Sequence, residues 1–86
     1  MNWSEDAKEL LEELVKPIPI FARPMAKKKI ESFIVDGVNG ETVTKDDVVK
    51  GYIIASPGSM QARAIKLLNA KGIDLTPFED LLEKVK

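Results

Sequence analysis

Five prolines divide the chain, and none of them can sit inside a helix without breaking it. Pro17 closes the first helical segment. Ser4 is a good N-cap for it, with Glu5 and Asp6 in the first turn, where acids suit the helix dipole. Ala7, Leu10, Leu11, Leu14 and Val15 form one apolar stripe. Glu12 and Lys16 are spaced as an i,i+4 ion pair. The helix is predicted to end near Lys16, which Pro17 should push towards extended backbone. Trp3 lies outside the cap and can fold onto the stripe. Ile18 and Ile20 alternate with Pro17 and Pro19 in a short connector, and both are expected to be buried.

The rest of the chain is organised around residues 18–37. Pro24 fits a first helical turn, where a missing N–H costs nothing. The spacing predicts a helix from Ala22 or Arg23 to Asp36. Ala22, Ala26, Ile30, Phe33, Ile34 and Gly37 recur at threes and fours, with Phe21 and Met25 flanking that face. Gly37 is expected to stop the helix in the left-handed conformation. Arg23, Lys27, Lys28 and Lys29 crowd the positive end of the dipole, at a cost of about a few tenths of a kcal/mol or more. Only Glu31 is near enough to relieve them locally. Two readings are open. One is a contact for an anion or an acidic partner. The other is a solvated face whose lysine stems cover apolar surface.

Beyond Gly37, Asn39-Gly40 signals a turn. Val43 and Val38 should point inward, with at most a short extended bridge near Val43. Thr44 caps the next helix, with Asp46 and Asp47 in its first turn. Its capping box is expected to be weak, because Asp47 stands where Glu or Gln is usual. Val48, Tyr52 and Ala55, widened by Val49, Ile53 and Ile54, imply burial on two sides. Gly51 in the helix interior marks close packing. Ser56-Pro57-Gly58-Ser59 breaks the pattern, and Ser56 or Ser59 can cap the fourth helix. Met60, Ala64, Leu67 and Leu68, with Ile65 alongside, place that helix over residues 60–70, ended by Gly72. Thr76, Pro77 and Glu79 supply cap, N1 proline and N3 glutamate for a last helix. Its stripe is Phe78, Leu81, Leu82 and Val85, with Lys84 and Lys86 at its negative end.

The predicted fold is all-α, a single small bundle of four or five short helices. Residues 1–55 are expected to form the main helical domain and residues 56–86 a helical extension packed on it. The expected core is Trp3, Leu10, Leu11, Leu14, Ile18, Phe21, Ile30, Phe33, Ile34, Val43, Val48, Tyr52, Leu67, Leu68, Phe78, Leu81 and Leu82.

Composition removes many chemistries. At 86 residues the chain buries about 60% of its unfolded surface or slightly more, so its core is modest. An apolar content of 44% with 31% charge is ordinary for a soluble fold. Without cysteine there is no disulfide, no thiolate nucleophile and no cysteine-held cluster. Without histidine the commonest general base and metal ligand are also missing. No metal or cofactor is expected. A net charge of −1 gives no global attraction for nucleic acid. No apolar run approaches the ~20 residues of a membrane span, so no membrane partner is expected. The polar, acidic start is unlike a targeting peptide, and a cytoplasmic location is expected.

The carboxylate pairs Asp46/Asp47 and Glu79/Asp80 both open helices, and capping accounts for them. Ser56-Pro57-Gly58-Ser59 lacks the spacing of a phosphate loop and of a nucleophile elbow. Arg23 and Lys27, Lys28 and Lys29 can reach phosphates. The break between the third and fourth helices allows a helix-turn-helix whose second helix offers Gln61, Arg63 and Lys66. Against that stand the slightly acidic balance and the lack of a continuous basic stripe.

The order of residues from Trp3 to about Ala55 resembles a known family. Trp3 before an acidic helix is followed by Ile18-Pro19-x-Phe21-x-Arg23, Ala26, Glu31, Gly37, Val43-Thr44 and Val48. This is similar to the C-terminal domain of the B subunit of light-independent protochlorophyllide reductase, which also occurs as stand-alone proteins. The pattern does not extend past Ser56. The resemblance implies a small appendage near subunit interfaces of a nitrogenase-like oxidoreductase of chlorophyll synthesis and photosynthesis. The cluster ligands and substrate pocket of such enzymes belong to their large domains. Trp3, Pro19, Phe21, Arg23, Glu31, Gly37 and Thr44 match the family motif.

The function expected is therefore a non-catalytic interaction module, not an enzyme on its own. Its contact surface should centre on Arg23, Lys27, Lys28 and Lys29. Its partner is expected to be a protein, such as a nitrogenase-like reductase subunit. The alternative is a small nucleic-acid binder. A monomer and a homodimer both remain open.

Overall fold

A computed structural model describes residues 2–85 of the chain. In order, the elements are β1 (Asn2–Trp3), α1 (Glu5–Val15), α2 (Arg23–Asp36), β2 (Thr42–Val43), α3 (Lys45–Ile54), α4 (Met60–Ala70), a 3-10 turn (Thr76–Phe78) and α5 (Glu79–Lys84). The fold is all-α, as its sequence predicts. The one sheet among the described residues is the minimal parallel bridge of β1 and β2, pairing Asn2 with Thr42 and Trp3 with Val43. Lys86, expected beside Lys84, lies outside the described residues.

The Ser4 hydroxyl accepts from the Ala7 N–H at 3.2 Å, and the whole predicted α1 stripe is buried. Lys16 differs from expectation. It stays right-handed (φ −54°, ψ −42°) despite Pro17. The Ile18 N–H closes a turn on the Val15 carbonyl at 3.0 Å, which carries the helical sense past the proline. Nor does Lys16 pair with Glu12. It meets Glu13 at 3.1 Å, one residue nearer, and leaves Glu12 for Lys27.

α2 and α3 form the central pair. Ile34 of α2 lies over Gly51 of α3, and a Cβ built on Gly51 would sit 2.6 Å from the Ile34 Cα. Glycine here permits two backbones to touch. Gly37, by contrast, is right-handed (φ −92°), not the left-handed stop expected. Its N–H bonds to the Ile34 carbonyl at 3.1 Å, and Val38 repeats the pattern on Val35, so the helix ends by tightening. The left-handed glycines are Gly58 (φ 62°) and Gly72 (φ 78°). The α3 capping box is complete, correcting the expectation that aspartate would weaken it. Extended Thr44 brings its N–H within 2.9 Å of the Asp47 carboxylate, and its hydroxyl accepts from the Asp47 N–H at 3.4 Å.

α4 starts without a serine cap. Ser59 occupies the N-cap position with right-handed backbone and no side-chain bond, while Ser56 is buried. Backbone bonds from Met60 to Pro57 and from Gln61 to Gly58 open this helix instead. Thr76 does not cap the last helix either. Its own N–H is taken by the Asp74 carboxylate at 3.0 Å, and the chain enters α5 through the 3-10 turn.

The core joins α1 (Ala7, Leu10, Leu11, Leu14, Val15), α2 (Ile30, Ile34), Val43, α3 (Val48, Val49, Ile53), Leu68 and Phe78. Trp3, Ile18, Tyr52, Leu67, Leu81 and Leu82 pack against it half-buried. Two expectations fail here. Phe21 is 89% exposed and Ile20 78%. The N–H groups of Ala22 and Arg23 both turn back to the Pro19 carbonyl, so Ile20 and Phe21 form the apex of a tight turn, and the apex points outward. Phe33 is only half-buried.

Gly51→Ala should test the central contact. Alanine is the better helix former by about 1 kcal/mol, which alone would stabilise α3. The collision with the Ile34 backbone should reverse that sign and cost about 1–3 kcal/mol, read from the urea midpoint. An unchanged or raised midpoint would show that α2 and α3 are not in backbone contact.

Candidate functional site

α2 holds the predicted basic cluster, and the fold divides it. Arg23 reaches back over the α1–α2 connector. Its Nη2 donates to the carbonyls of Lys16 and Ile18, each at 2.9 Å. Its Nε is buried and has no hydrogen-bond partner among the described residues. Arg23 thus acts as a clamp on its own chain. Lys27 pairs with Glu12 of α1. Lys28 and Lys29 are exposed and form no ion pair among the described residues. The expected contact surface keeps these two cations and gives the other two internal partners.

A groove of about 780 Å³ opens beside this cluster, where the end of α1, the start of α2, the end of α3 and the length of α4 converge. Leu14, Ile18, Ile30, Tyr52 and Leu67 are among its apolar walls. Every charged residue lining it is a cation: Lys29 from α2, Arg63 and Lys66 from α4. In a chain of net charge −1, that is segregation of charge. Burial pushes the Tyr52 hydroxyl up from its ordinary pKa. Sequence periodicity places Arg63 and Lys66 off the apolar face of α4 but cannot place them opposite Lys29. Gln61, the third side chain offered by the helix-turn-helix reading, donates to the Leu82 carbonyl at 2.8 Å and ties α4 to α5.

Glu12 and Glu13 of α1 do not line the groove. Glu12 binds Lys27, while Glu13 binds Lys71 of the α4 end at 3.0 Å as well as Lys16. Those ammonium groups hold both carboxyls below the ordinary value of 4.5. Asp6, hydrogen-bonded by Ser4, and Asp74, bonded by Thr76, are lowered too. Asp46 and Asp47 stand in the first turn of α3, where Asp47 completes the capping box. Glu79 and Asp80 open α5, which has no side-chain cap, so dipole placement rather than capping accounts for them. Among the described residues no group of three acids is placed to hold a metal ion.

The family described as "Protein of unknown function (DUF2621)" matches residues 1–82. The chain belongs to that family. The DUF2621 match runs on through α4 and into α5, beyond the point where the protochlorophyllide-reductase pattern stops. The chain is also 37% identical, over 84 residues and 94% of its length, to a curated relative from Bacillus subtilis strain 168, "Membrane protein YneK". It spans 59% of that relative's own length. No solved structure matches. These findings correct one expectation. Chlorophyll synthesis and photosynthesis were implied by the resemblance alone, whereas the family that spans nearly the whole chain, and its named relative, are described in other terms. No helix among the described residues is long and apolar enough to cross a membrane.

Two measurements test this arrangement of charge. Glu12 and Glu13 have folded pKa values below their unfolded ones. Their contribution to stability is therefore complete above about 4.5 and is lost as pH falls through the folded values. The melting temperature should drop between about pH 5 and about pH 3, and less steeply in Glu12→Gln/Glu13→Gln. Arg23→Met should cost about 1–3 kcal/mol in urea unfolding through the two freed carbonyls, while Lys28→Ala should stay within about 0.5 kcal/mol.

Proposed function

We propose that this chain is a non-catalytic interaction module whose groove receives an apolar, acid-bearing segment of a protein partner. The carrying observation is the sign of the groove: apolar walls, and Lys29, Arg63 and Lys66 as its charged lining. An amphipathic helix with carboxylates along one edge fits such a site, apolar face inward and acids against the cations. Lys28 and Lys29 continue the basic surface expected on α2. The relative's name, a membrane protein, supports a partner that resides at a membrane.

The same cations support a second reading, a small nucleic-acid binder that lays α4 against phosphates. It expects a mobility shift at low salt that weakens steeply as salt rises.

The test is an affinity pull-down from the source organism, comparing the native chain with Arg63→Glu/Lys66→Glu. Both side chains are exposed, so the reversal should leave the melting temperature within a few degrees. A partner held by the native chain should be lost by the variant. Identical partners on both baits would remove the groove as the contact. Recovery of a nitrogenase-like reductase subunit would give the sequence resemblance a functional meaning.

A further inference from the structure

Outside the groove lies a second surface that the core does not use. Ile20 (78%), Phe21 (89%) and Met25 (81%) are almost fully exposed. Isolated surface apolar residues are ordinary, but three large ones within six residues are not: Ile20 and Phe21 at the turn apex and Met25 at the start of α2. The apex is built. Ala22 and Arg23 bond back to Pro19, and the Arg23 guanidinium pins the carbonyls of Lys16 and Ile18 beneath it. Of the four cations in residues 17–30, Arg23 is bonded to its own chain and Lys27 meets Glu12, while Lys28 and Lys29 form no ion pair among the described residues. Lys28 lies three residues beyond Met25 and so shares its helix face.

We infer that this apex rests on an anionic lipid bilayer. The apolar tips come first, and Lys28 follows Met25 by three residues, about 4.5 Å of helix rise. That order matches a membrane interface, where apolar side chains enter to about 5–10 Å and lysines stay among the headgroups. Apolar tips plus basic residues are the two signals that together give stable surface binding. The apex is convex and offers only three side chains, too little area for a stable protein interface. The expectation of no membrane partner rests on the lack of a spanning segment, and lying on a surface needs no span.

This inference goes beyond the proposed groove, and the two use different residues: Ile20, Phe21 and Met25 do not line it. The test is co-sedimentation of the full chain with phosphatidylglycerol vesicles, with phosphatidylcholine vesicles as comparison. The native chain should sediment with the anionic vesicles and lose most binding in high salt. Phe21→Ser/Met25→Ser should weaken binding about tenfold, and Lys28→Glu should weaken it too, with melting temperatures unchanged. Arg63→Glu/Lys66→Glu should leave the Phe21 and Met25 dependence in place. No binding to anionic vesicles, or equal binding by the serine variant, would overturn the inference. So would a concentration-dependent dimer that the serine variant abolishes, because a second copy would then cover the apex.

Discussion

The contact between Ile34 and Gly51 determines where everything else can sit. Two helices whose backbones touch leave no side-chain layer between them, so α2 and α3 behave as one unit. α3 then has its remaining surface free for α1 on one side and for α4 and α5 on the other. This is why Val48, Val49 and Ile53 are all buried although they point in different directions. A bundle this small gains from a central helix that packs on several neighbours while Lys45, Asp46 and Lys50 remain exposed.

The connector between α1 and α2 is held by a different force. Pro17 and Pro19 interrupt the helical ladder, and the carbonyls of Lys16 and Ile18 accept no backbone hydrogen bond among the described residues. Arg23 donates to both instead. The cost is a buried Nε with no hydrogen bond among the described residues. Cations at the positive end of α2 thus have an explanation that dipole arguments lack: one is a clamp, one crosses to Glu12, and two remain for solvent or a partner.

Much of this was legible in the sequence. Helix starts and stripes are local properties, and the Ser4 cap, the Thr44 cap and the α1 stripe follow from spacing alone. Gly51 could be read as a close approach because nothing else explains glycine inside α3. Burial of Ile20 and Phe21 could not be read correctly. Apolar character promises burial, but the direction of a turn apex depends on which carbonyl its N–H groups find. The groove was illegible for a related reason. Lys29, Arg63 and Lys66 converge only after α2 and α4 are placed, and no window of sequence holds all three.

The bridge between β1 and β2 has a kinetic consequence. Asn2 meets Thr42 across forty positions, so its two short strands gain almost nothing until both α1 and α2 are folded and aligned. The β1–β2 bridge is therefore expected to be among the last contacts to form. Trp3, the single tryptophan, lies in β1 and packs against the core, so its fluorescence should follow the docking of β1, while far-ultraviolet signals follow the helices.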